Sequence, residues 1–265
     1  MCATCGCSDD GSVRLVDLRP GAVAAPHMHA DGSTHSHVHS SAHEHASLAV
    51  PVGGTETLTL ELRVLAKNDE LAAQNRAWLA GRGVTAINLM SSPGSGKTTL
   101  LERTVRTMAG ATPVYVIEGD QETSFDAERI KAAGAPVLQI NTGSGCHLDA
   151  VMLRAALDTL DPTGGLLLIE NVGNLVCPAL FDLGENARVV IMSVTEGADK
   201  PLKYPHIFAT ATAVVLNKID LLPYVDFDVS RFERDVRLVN PGVKILPMSA
   251  TRGDGVPDWL TWLQS

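Results

Sequence analysis

Residues 91–99 read Ser-Ser-Pro-Gly-Ser-Gly-Lys-Thr-Thr, between a short apolar run that ends at Met90 and a helical stretch that begins at Lys97. They match the phosphate-binding pattern G-x-x-x-x-G-K-S/T, except that Ser91 takes the place of the first glycine. In such a loop the backbone N–H groups and the N-terminus of the next helix surround an anion. We expect a nucleotide phosphate site formed by Gly94, Ser95, Gly96, Lys97, Thr98 and Thr99.

The last two residues of this pattern have separate tasks. A lysine in the position of Lys97 reaches the β- and γ-phosphates, and a threonine in the position of Thr98 is a ligand for Mg²⁺. The alternative is a glycine-rich turn that happens to precede a helix. Because strand, loop, Lys-Thr pair and helix occur in register, the sequence favours the phosphate site.

Short apolar runs alternate with helical stretches along the rest of the chain. The predicted strands, rich in Val, Leu and Ile, are residues 86–90, 114–118, 137–141, 166–170, 189–194, 213–217 and 244–247. The predicted helices are residues 97–108, 125–132, 147–160, 230–239 and 256–263, after a leading helix or broken helix pair at residues 58–80. Strands that are apolar throughout are typical of parallel sheets covered on both faces. We predict an α/β fold with a doubly wound, mainly parallel sheet and ligands at the carboxyl ends of its strands.

An Asn-Lys-Ile-Asp sequence that contains Asn217, Lys218 and Asp220 closes one predicted strand and matches the N-K-x-D element of GTPases. A carboxylate such as that of Asp220 accepts hydrogen bonds from the ring N–H and the exocyclic amine of guanine, a donor pair that adenine lacks. The tetrapeptide alone is a weak signal, because the same residues also occur on solvated surfaces. Ser249 and Ala250, after the last predicted strand, lie where GTPases carry a second base-binding element. With the phosphate loop, these elements favour GTP over ATP.

Acidic residues follow two of the predicted strands. Glu170-Asn-Val-Gly173 stands where a GTPase usually carries D-x-x-G, so Glu170 is expected near Mg²⁺ and Gly173 in a turn at the γ-phosphate. Glu118, Asp120 and Asp126 provide further carboxylates for Mg²⁺ or a switch segment, although Asp126 in a first helical turn would also favour the helix dipole. No glutamine follows Gly173 to orient water, so unaided hydrolysis should be slow. We assign catalysis and Mg²⁺ binding to Lys97, Thr98, Asp120, Asp126 and Glu170.

Residues 8–54 differ in composition from the remainder of the chain. They are rich in Ala, Ser, Gly, Pro and His, contain no aromatic residue and show no sustained apolar period. Such a segment does not bury enough apolar surface to offset the entropy of ordering. We predict a disordered metal-binding tail over residues 1–54 and a GTPase domain with a leading helix over residues 55–265.

The tail begins with three cysteines, Cys2, Cys5 and Cys7. Thiolates this close together bind one ion with little loss of loop entropy. Donors in a plane would suit Ni²⁺ and tetrahedral thiolates would suit Zn²⁺, and a structural zinc knuckle is the competing interpretation. Seven histidines lie between His27 and His45, where they would bind divalent ions weakly as a store or buffer, or serve as a solvated linker.

A second group of soft-metal donors consists of Cys146, His147 and Cys177. Adjacent Cys and His do not easily bind one ion together with a third ligand of the same chain unless the loop bends sharply. A site shared between two copies of the chain would relieve this constraint. The alternative is that both cysteines are small buried hydrophobic residues. We favour a metal site, because Cys177 follows Gly173 so closely that a γ-phosphate-dependent movement would shift it.

Composition excludes several classes of protein. The chain has 265 residues, a net charge of −9 and no basic stripe, which argues against a nucleic-acid-binding protein. It has no basic region followed by an apolar segment, the pattern of an export signal, and no run of about 18 apolar residues. We therefore expect a cytoplasmic protein without a membrane span. In that reducing compartment, its five cysteines are better interpreted as metal ligands than as disulfides.

These motifs closely resemble those of the hydrogenase nickel-incorporation GTPases, the HypB family, over essentially the whole chain. The resemblance is carried by the Cys2-x-x-Cys5-Gly-Cys7 motif, the histidine tract, the phosphate loop, Cys146-His147, Cys177-Pro178 and the Asn-Lys-Ile-Asp sequence. It implies a SIMIBI-class P-loop GTPase that uses GTP, GDP and Mg²⁺ and forms a homodimer with nucleotide. It further implies delivery of Ni²⁺ for maturation of nickel-iron hydrogenase, with other maturation factors and the hydrogenase large subunit as partners.

The resemblance also implies roles for the two groups of metal donors. The N-terminal cysteines would form a tight nickel site, and Cys146, His147 and Cys177 would bind nickel or zinc at the subunit interface. Two alternatives stay open. One is a nickel or zinc storage protein whose dimerisation is controlled by GTP. The other is a urease accessory GTPase, a relative that shares the phosphate loop and the histidine-rich tail but fits the cysteine motifs less well.

Overall fold

The computed structural model describes residues 14–17, 54–120 and 125–265. The strands in these residues are β1 Arg14–Asp17, β2 Val84–Ser91, β3 Val114–Asp120, β4 Val137–Asn141, β5 Gly165–Glu170, β6 Ala187–Ser193, β7 Ala213–Asn217 and β8 Lys244–Pro247. They form one sheet in the order β1-β4-β3-β5-β2-β6-β7-β8. Every neighbouring pair is parallel except β1 with β4. The predicted doubly wound, mainly parallel sheet is confirmed.

Helices cover both faces of this sheet. In the described residues they are α1 Gly54–Gly81, α2 Lys97–Met108, α3 Phe125–Ala132, α4 Ala150–Leu160, α5 Lys200–Lys203, α6 Pro205–Ala209, α7 Val229–Val239 and α8 Val256–Leu263, with 3₁₀ helices at Cys177–Ala179 and Ile219–Tyr224. An apolar cluster joins α2, α3 and α8 to one face. The other face packs against α1 and α4 and, farther along the sheet, against α6 and α7. In the part of the chain described, none of the helices combines the length and apolar character needed to cross a membrane.

The central strand β5 shows why the strands are apolar throughout. Leu166 and Leu168 belong to the cluster under α2, whereas Leu167 and Ile169 belong to the cluster under α1 and α4. Successive side chains of a strand point to opposite faces, so a strand covered on both sides needs apolar residues at every position. This arrangement delivers Glu170, the last residue of β5, to the carboxyl edge of the sheet.

The N-terminal region differs from prediction at one place. Within residues 1–54, predicted to be a disordered tail, β1 pairs with β4 as an antiparallel edge strand, with Arg14 opposite Asn141. Strand pairing uses main-chain groups that every residue except proline possesses, so it does not depend on a strong apolar pattern. Cys2, Cys5, Cys7 and the histidine tract lie outside the described residues.

Two further differences concern helices. The helix predicted to begin at His147 begins at Ala150, because the carboxylate of Asp149 caps it by accepting from the N–H of Met152 at 2.8 Å. The short α5, α6 and both 3₁₀ helices are additional to the predicted helices, since one or two turns leave no apolar period to recognise. The leading helix is one continuous helix, which decides between the two forms predicted for it.

We expect Leu168→Ala to lower the free energy of unfolding by about 2–5 kcal/mol, because it leaves a cavity that the flanking strands β2 and β3 prevent from closing. Urea denaturation followed by circular dichroism measures the change. Leu238→Ala is the matched control, since Leu238 is 73% exposed on α7, and its effect should stay within about 0.5 kcal/mol. Equal losses in the two variants would contradict a central core position for Leu168.

Candidate functional site

The phosphate loop, residues 91–98, connects β2 to α2 and borders a cleft of about 550 Å³ at the carboxyl ends of the strands. Gly96, the last loop residue before α2 begins, has left-handed backbone with φ 96°. A β-carbon at Gly96 would lie 2.5 Å from Nδ2 of Asn217. Both the backbone conformation and this close approach therefore require glycine at this position. We refer to this cavity as the nucleotide cleft.

Lys97 is held at the base of the phosphate loop. Its side chain is largely buried and its Nζ donates a hydrogen bond to Oγ of Ser91 at 2.7 Å. Ser91 is the residue that replaces the first glycine of the pattern, and the structure shows that it provides an acceptor for the lysine. The departure from the usual sequence is therefore accommodated inside the loop.

Two acidic residues meet beside Lys97. Glu118 on β3 and Glu170 on β5 are register partners on adjacent strands. Burial, together with the nearby carboxylate of Glu170, raises the pKa of Glu118 to about 9. Burial also raises the pKa of Glu170 to about 7, against the charge of Lys97 and the hydrogen bond that Thr98 Oγ1 donates to its Oε1 at 3.0 Å. The sheet thus holds two carboxyl groups and one hydroxyl group in a small buried volume.

This set of donors fits a divalent cation. The Oε2 atoms of Glu118 and Glu170 are both buried, and neither has a hydrogen-bond partner among the described residues. Carboxylate and hydroxyl oxygens are the ligands that Mg²⁺ prefers, and a cation would offset the repulsion between the carboxylates. Glu118, two residues before Asp120 at the end of a predicted strand, was expected from the sequence to provide a carboxylate for Mg²⁺ or a switch segment, and the structure places it opposite Glu170.

The other two predicted carboxylates also line the nucleotide cleft. Asp120 ends β3, and Asp126 lies in the first turn of α3 and forms an ion pair with Arg129 at 3.3 Å. Arg129 also donates to Oγ1 of Thr99 at 3.4 Å and to Glu102 at 2.9 Å, which connects α3 to α2. Sequence reasoning missed Arg129, although its spacing of three residues from Asp126 on a helix was a usable signal.

Asn217 connects the phosphate loop to the loop after β8. Its Nδ2 donates to the carbonyl of Ser95 at 2.9 Å, and its Oδ1 accepts from the N–H of Ala250 at 3.0 Å. The residue is only 1% exposed. Sequence reasoning expected Asn217 to select guanine, whereas in this structure both ends of its amide join two parts of the protein.

The remaining base-binding candidates lie beside this junction. Lys218 has left-handed backbone with φ 63°, and its Nζ donates to the carbonyl of Gly94 at 2.7 Å. The carboxylate of Asp220 lies 3.9 Å from Nε of Arg252. The backbone N–H of Arg252 donates to Oγ of Ser249 at 3.0 Å. Among the described residues, Lys218 lines the nucleotide cleft, whereas Asp220 and Ser249 do not. A guanine base that binds Asp220 would therefore extend out of the nucleotide cleft, past Lys218.

Cys146, His147 and Cys177 come together in one chain. Their ligand atoms all lie within 4.8 Å of one another, and Sγ of Cys146 lies 3.6 Å from Nδ1 of His147. The sharp bend of the loop, which the sequence left open as the condition for a site within one chain, is therefore present. The loop bends sharply because Oγ1 of Thr142 donates to the carbonyl of Gly145 at 2.8 Å, while the N–H of Gly145 returns to the Thr142 carbonyl at 2.9 Å. We call the three residues the Cys-His cluster.

The surroundings of His147 favour metal binding. Burial lowers the pKa of His147 below its usual range, although the carboxylate of Asp149 acts in the opposite direction. A neutral imidazole is the form that coordinates a metal ion. The ring stacks on Phe181, with centroids 3.9 Å apart and an interplanar angle of 26°. Sequence reasoning missed Phe181; the signal was an aromatic residue shortly after Cys177 in a chain with 4% aromatic residues.

The turn that follows β5 joins the nucleotide cleft to the Cys-His cluster. A β-carbon on Gly173 would lie 3.1 Å from Cγ of Pro93, so the turn touches the phosphate loop. Asn174 donates from Nδ2 to the carbonyl of Cys146 at 3.4 Å and accepts from the N–H of Val176 at 2.8 Å. Neighbouring residues of one turn therefore contact both sites.

Known proteins match this chain both in its nucleotide-binding domain and over its full length. Residues 85–247 match the family model described as "CobW/HypB/UreG, nucleotide-binding domain". The chain is similar to hydrogenase maturation factor HypB of Escherichia coli strain K12, with 45% identity over 100% of this chain and 99% of that protein. It is also similar to the crystal structure of HypB from Archaeoglobus fulgidus, with a TM-score of 0.71 and 43% identity over 75% of this chain and 98% of that one. The structure of HypB from Helicobacter pylori in complex with nickel matches with a TM-score of 0.71 and 39% identity over 75% of this chain and 94% of that one.

We expect Gly96→Ala to weaken binding of GTP and GDP by at least about tenfold, because the strained φ and the collision with Asn217 together cost about 1.4 kcal/mol or more. Isothermal titration calorimetry measures the affinities. Gly94→Ala is the matched control: Gly94 also has positive φ, at 76°, but no atom lies within 4 Å of the added β-carbon. The close approach of Asn217 would be unimportant if the two variants lost affinity equally.

Proposed function

Because the chain belongs to the CobW/HypB/UreG family, and within it to the hydrogenase maturation factors HypB, we propose that it is a GTP-hydrolysing nickel metallochaperone. It binds Ni²⁺ and delivers it for maturation of nickel-iron hydrogenase. The observation that carries this proposal is the turn after β5, where Gly173 lies against the phosphate loop and Asn174 bonds to Cys146. A nucleotide-dependent movement of this turn would alter the Cys-His cluster directly.

GTP is the nucleotide that these residues suit best. Lys97 and the phosphate-loop amides bind the phosphates, and Asp220 accepts from the two guanine donors. Hydrolysis without a partner is slow, because the water-orienting glutamine of many GTPases is replaced. Asn174, which follows Gly173, directs its side chain to Cys146 and Val176 instead.

Mg²⁺ accompanies the nucleotide in this proposal. Thr98 and Glu170 are within hydrogen-bond distance of each other, and Glu118 and Asp120 lie at the end of the neighbouring strand. These oxygen atoms would hold the cation, which supplies positive charge to offset that of the phosphates when bound. Lys97 provides the fixed positive charge of the protein in the same volume.

Nickel is the cargo, and two groups of donors carry it. Cys2, Cys5 and Cys7 capture Ni²⁺ tightly, the histidine tract keeps more of it nearby, and the Cys-His cluster holds Ni²⁺ or Zn²⁺ until release. A second copy of the chain joins the cluster when nucleotide binds, which makes the working form a homodimer. Other maturation factors and the hydrogenase large subunit are the partners in the cytoplasm. The net charge of −9 gives no basis for binding nucleic acid.

We expect Asp220→Asn to weaken GTP binding by about 10²-fold or more, because an amide is unable to accept from both guanine donors. The same variant should bind xanthosine triphosphate better than the parent chain does, since the amide N–H₂ matches a base carbonyl. Competition against a fluorescent GTP analogue measures both affinities. Asp226→Asn, outside the Asn-Lys-Ile-Asp sequence, is the control for loss of one acidic charge. An unchanged preference for GTP would remove Asp220 from base recognition.

Release of nickel tests the transport part of the proposal. We use the full-length chain in which Cys2, Cys5, Cys7 and the seven histidines between His27 and His45 are alanine. We expect it to lose Ni²⁺ from the Cys-His cluster to a coloured chelator at different rates with GDP and with a non-hydrolysable GTP analogue. The variant that also carries Lys97→Ala should show no such difference, because the γ-phosphate loses its main cationic contact. Identical rates in both nucleotide states of the parent would instead support a storage protein.

A further inference from the structure

Two asparagines on α1 lie at positions where a core-facing helix ordinarily carries apolar side chains. Asn68 is 6% exposed and Asn75 is 1% exposed, and their spacing of seven residues puts them on the same face of the helix. A buried side-chain amide costs free energy unless it is hydrogen bonded. Simple packing of α1 against the sheet therefore does not account for these two residues.

Both asparagines bridge the same two segments of the chain. Asn68 accepts from the N–H of Ala150 at 2.9 Å and donates to the carbonyl of Asp182 at 2.8 Å. Asn75 donates from Nδ2 to the carbonyl of Ala150 at 2.9 Å and to the carbonyl of Leu183 at 3.1 Å. Both backbone groups of Ala150 and two consecutive carbonyls of the other segment are thus bound to α1.

The two segments carry the two sides of the Cys-His cluster. Ala150 follows His147 by three residues, and Leu183 follows Phe181 by two. Phe181 in turn follows Cys177 by four residues, and its ring stacks on His147 at 3.9 Å. The asparagines therefore set the spacing between the segment that provides the histidine and the segment that provides Cys177 and the ring behind the imidazole.

The backbone of the second segment is shaped for close contact with α1. Gly184 has φ 93°, and a β-carbon on it would collide with the backbone of Ala72 and Arg76. Nη2 of Arg76 donates to both carboxylate oxygens of Asp182, at 2.9 and 2.8 Å. Oδ1 of Asn75 is buried without a hydrogen-bond partner among the described residues, so this side chain acts through its two donated bonds.

We propose that Asn75, together with Asn68, is a positioning residue for the Cys-His cluster. Each side chain holds backbone atoms of the two segments that carry the three ligand residues. The inference rests on the proposed role of the cluster as a metal-cargo site. It adds that α1, outside both the cluster and the nucleotide cleft, determines how well the cluster binds metal.

The test compares Asn75→Ala with its parent, a full-length chain in which Cys2, Cys5, Cys7 and the seven histidines between His27 and His45 are alanine, so that titration reports the Cys-His cluster. Co²⁺ is the spectroscopic probe, because its d–d and thiolate bands report coordination geometry, and Ni²⁺ is titrated in parallel. We expect Asn75→Ala to lower metal affinity by about 10–100-fold and to change the Co²⁺ spectrum, as the loss of outer contacts to metal ligands does. Its affinity for GDP should stay within about twofold of the parent.

Two further variants separate positioning from general stability. Leu79→Ala removes a buried apolar contact between α1 and the core while leaving both asparagines in place, so it should lower the melting temperature but keep the parental Co²⁺ spectrum and affinity. Gln74→Ala removes an exposed amide from the same helix and should change neither. The inference would be overturned if Asn75→Ala bound metal as tightly as the parent does. It would also be overturned if Leu79→Ala lost as much metal affinity as Asn75→Ala at the same loss of stability. Neither result would affect the proposed function. A parent that binds neither ion at the cluster would overturn the proposed function and, with it, the inference.

Discussion

The relative arrangement of the nucleotide cleft and the Cys-His cluster depends on the hydrogen bonds of one buried side chain, that of Asn171. It is 1% exposed, donates to Oδ1 of Asn88 on β2 at 3.2 Å and accepts from the N–H of Leu148 at 3.1 Å. Asn171 immediately follows Glu170 of the nucleotide cleft, and Leu148 immediately follows His147 of the Cys-His cluster. The Asn171 amide therefore joins three parts of the site. They are β2, which leads into the phosphate loop, the end of β5 at Glu170, and the loop that carries Cys146 and His147.

The parallel sheet explains why so much charge collects at this junction. The carboxyl ends of β2, β3, β4 and β5 meet at one edge and deliver the phosphate loop, the carboxylates and the Cys-His loop there. Glu118 and Glu170 are opposite each other in register, and their raised pKa values show that the sheet does not favour two negative charges at this place. In the proposed function, binding of a cation would change that balance beside Asn171, where the turn toward Cys177 begins.

Local sequence patterns predicted the parts of the molecule that depend on neighbouring residues. The phosphate loop, the parallel strands and the helix over residues 97–108 follow from spacing and composition along short stretches, and the structure has them at nearly the predicted bounds. Contacts between distant segments were not predictable in this way. Asn75 and Ala150 are 75 positions apart, and the Cys-His cluster joins Cys177 to Cys146 and His147 of a different loop. In a sequence, Asn68 and Asn75 are only polar interruptions of an apolar helix face.

The composition of the Cys-His cluster suits a site that gives up its metal. Structural zinc sites are closed by four protein ligands, whereas three protein ligands leave a position for an exchangeable one. One chain provides three donors here, two sulfur atoms and one imidazole nitrogen. Because burial lowers the pKa of His147, loading does not have to displace a proton from the ring at neutral pH. The imidazole is held from behind by Phe181, while Cys177 follows directly from the turn that touches the phosphate loop. A movement of this turn with the nucleotide would therefore shift Cys177, along with the Cys146 backbone that Asn174 bonds to, and departure of Cys177 would leave the ion bound by only two residues of this chain.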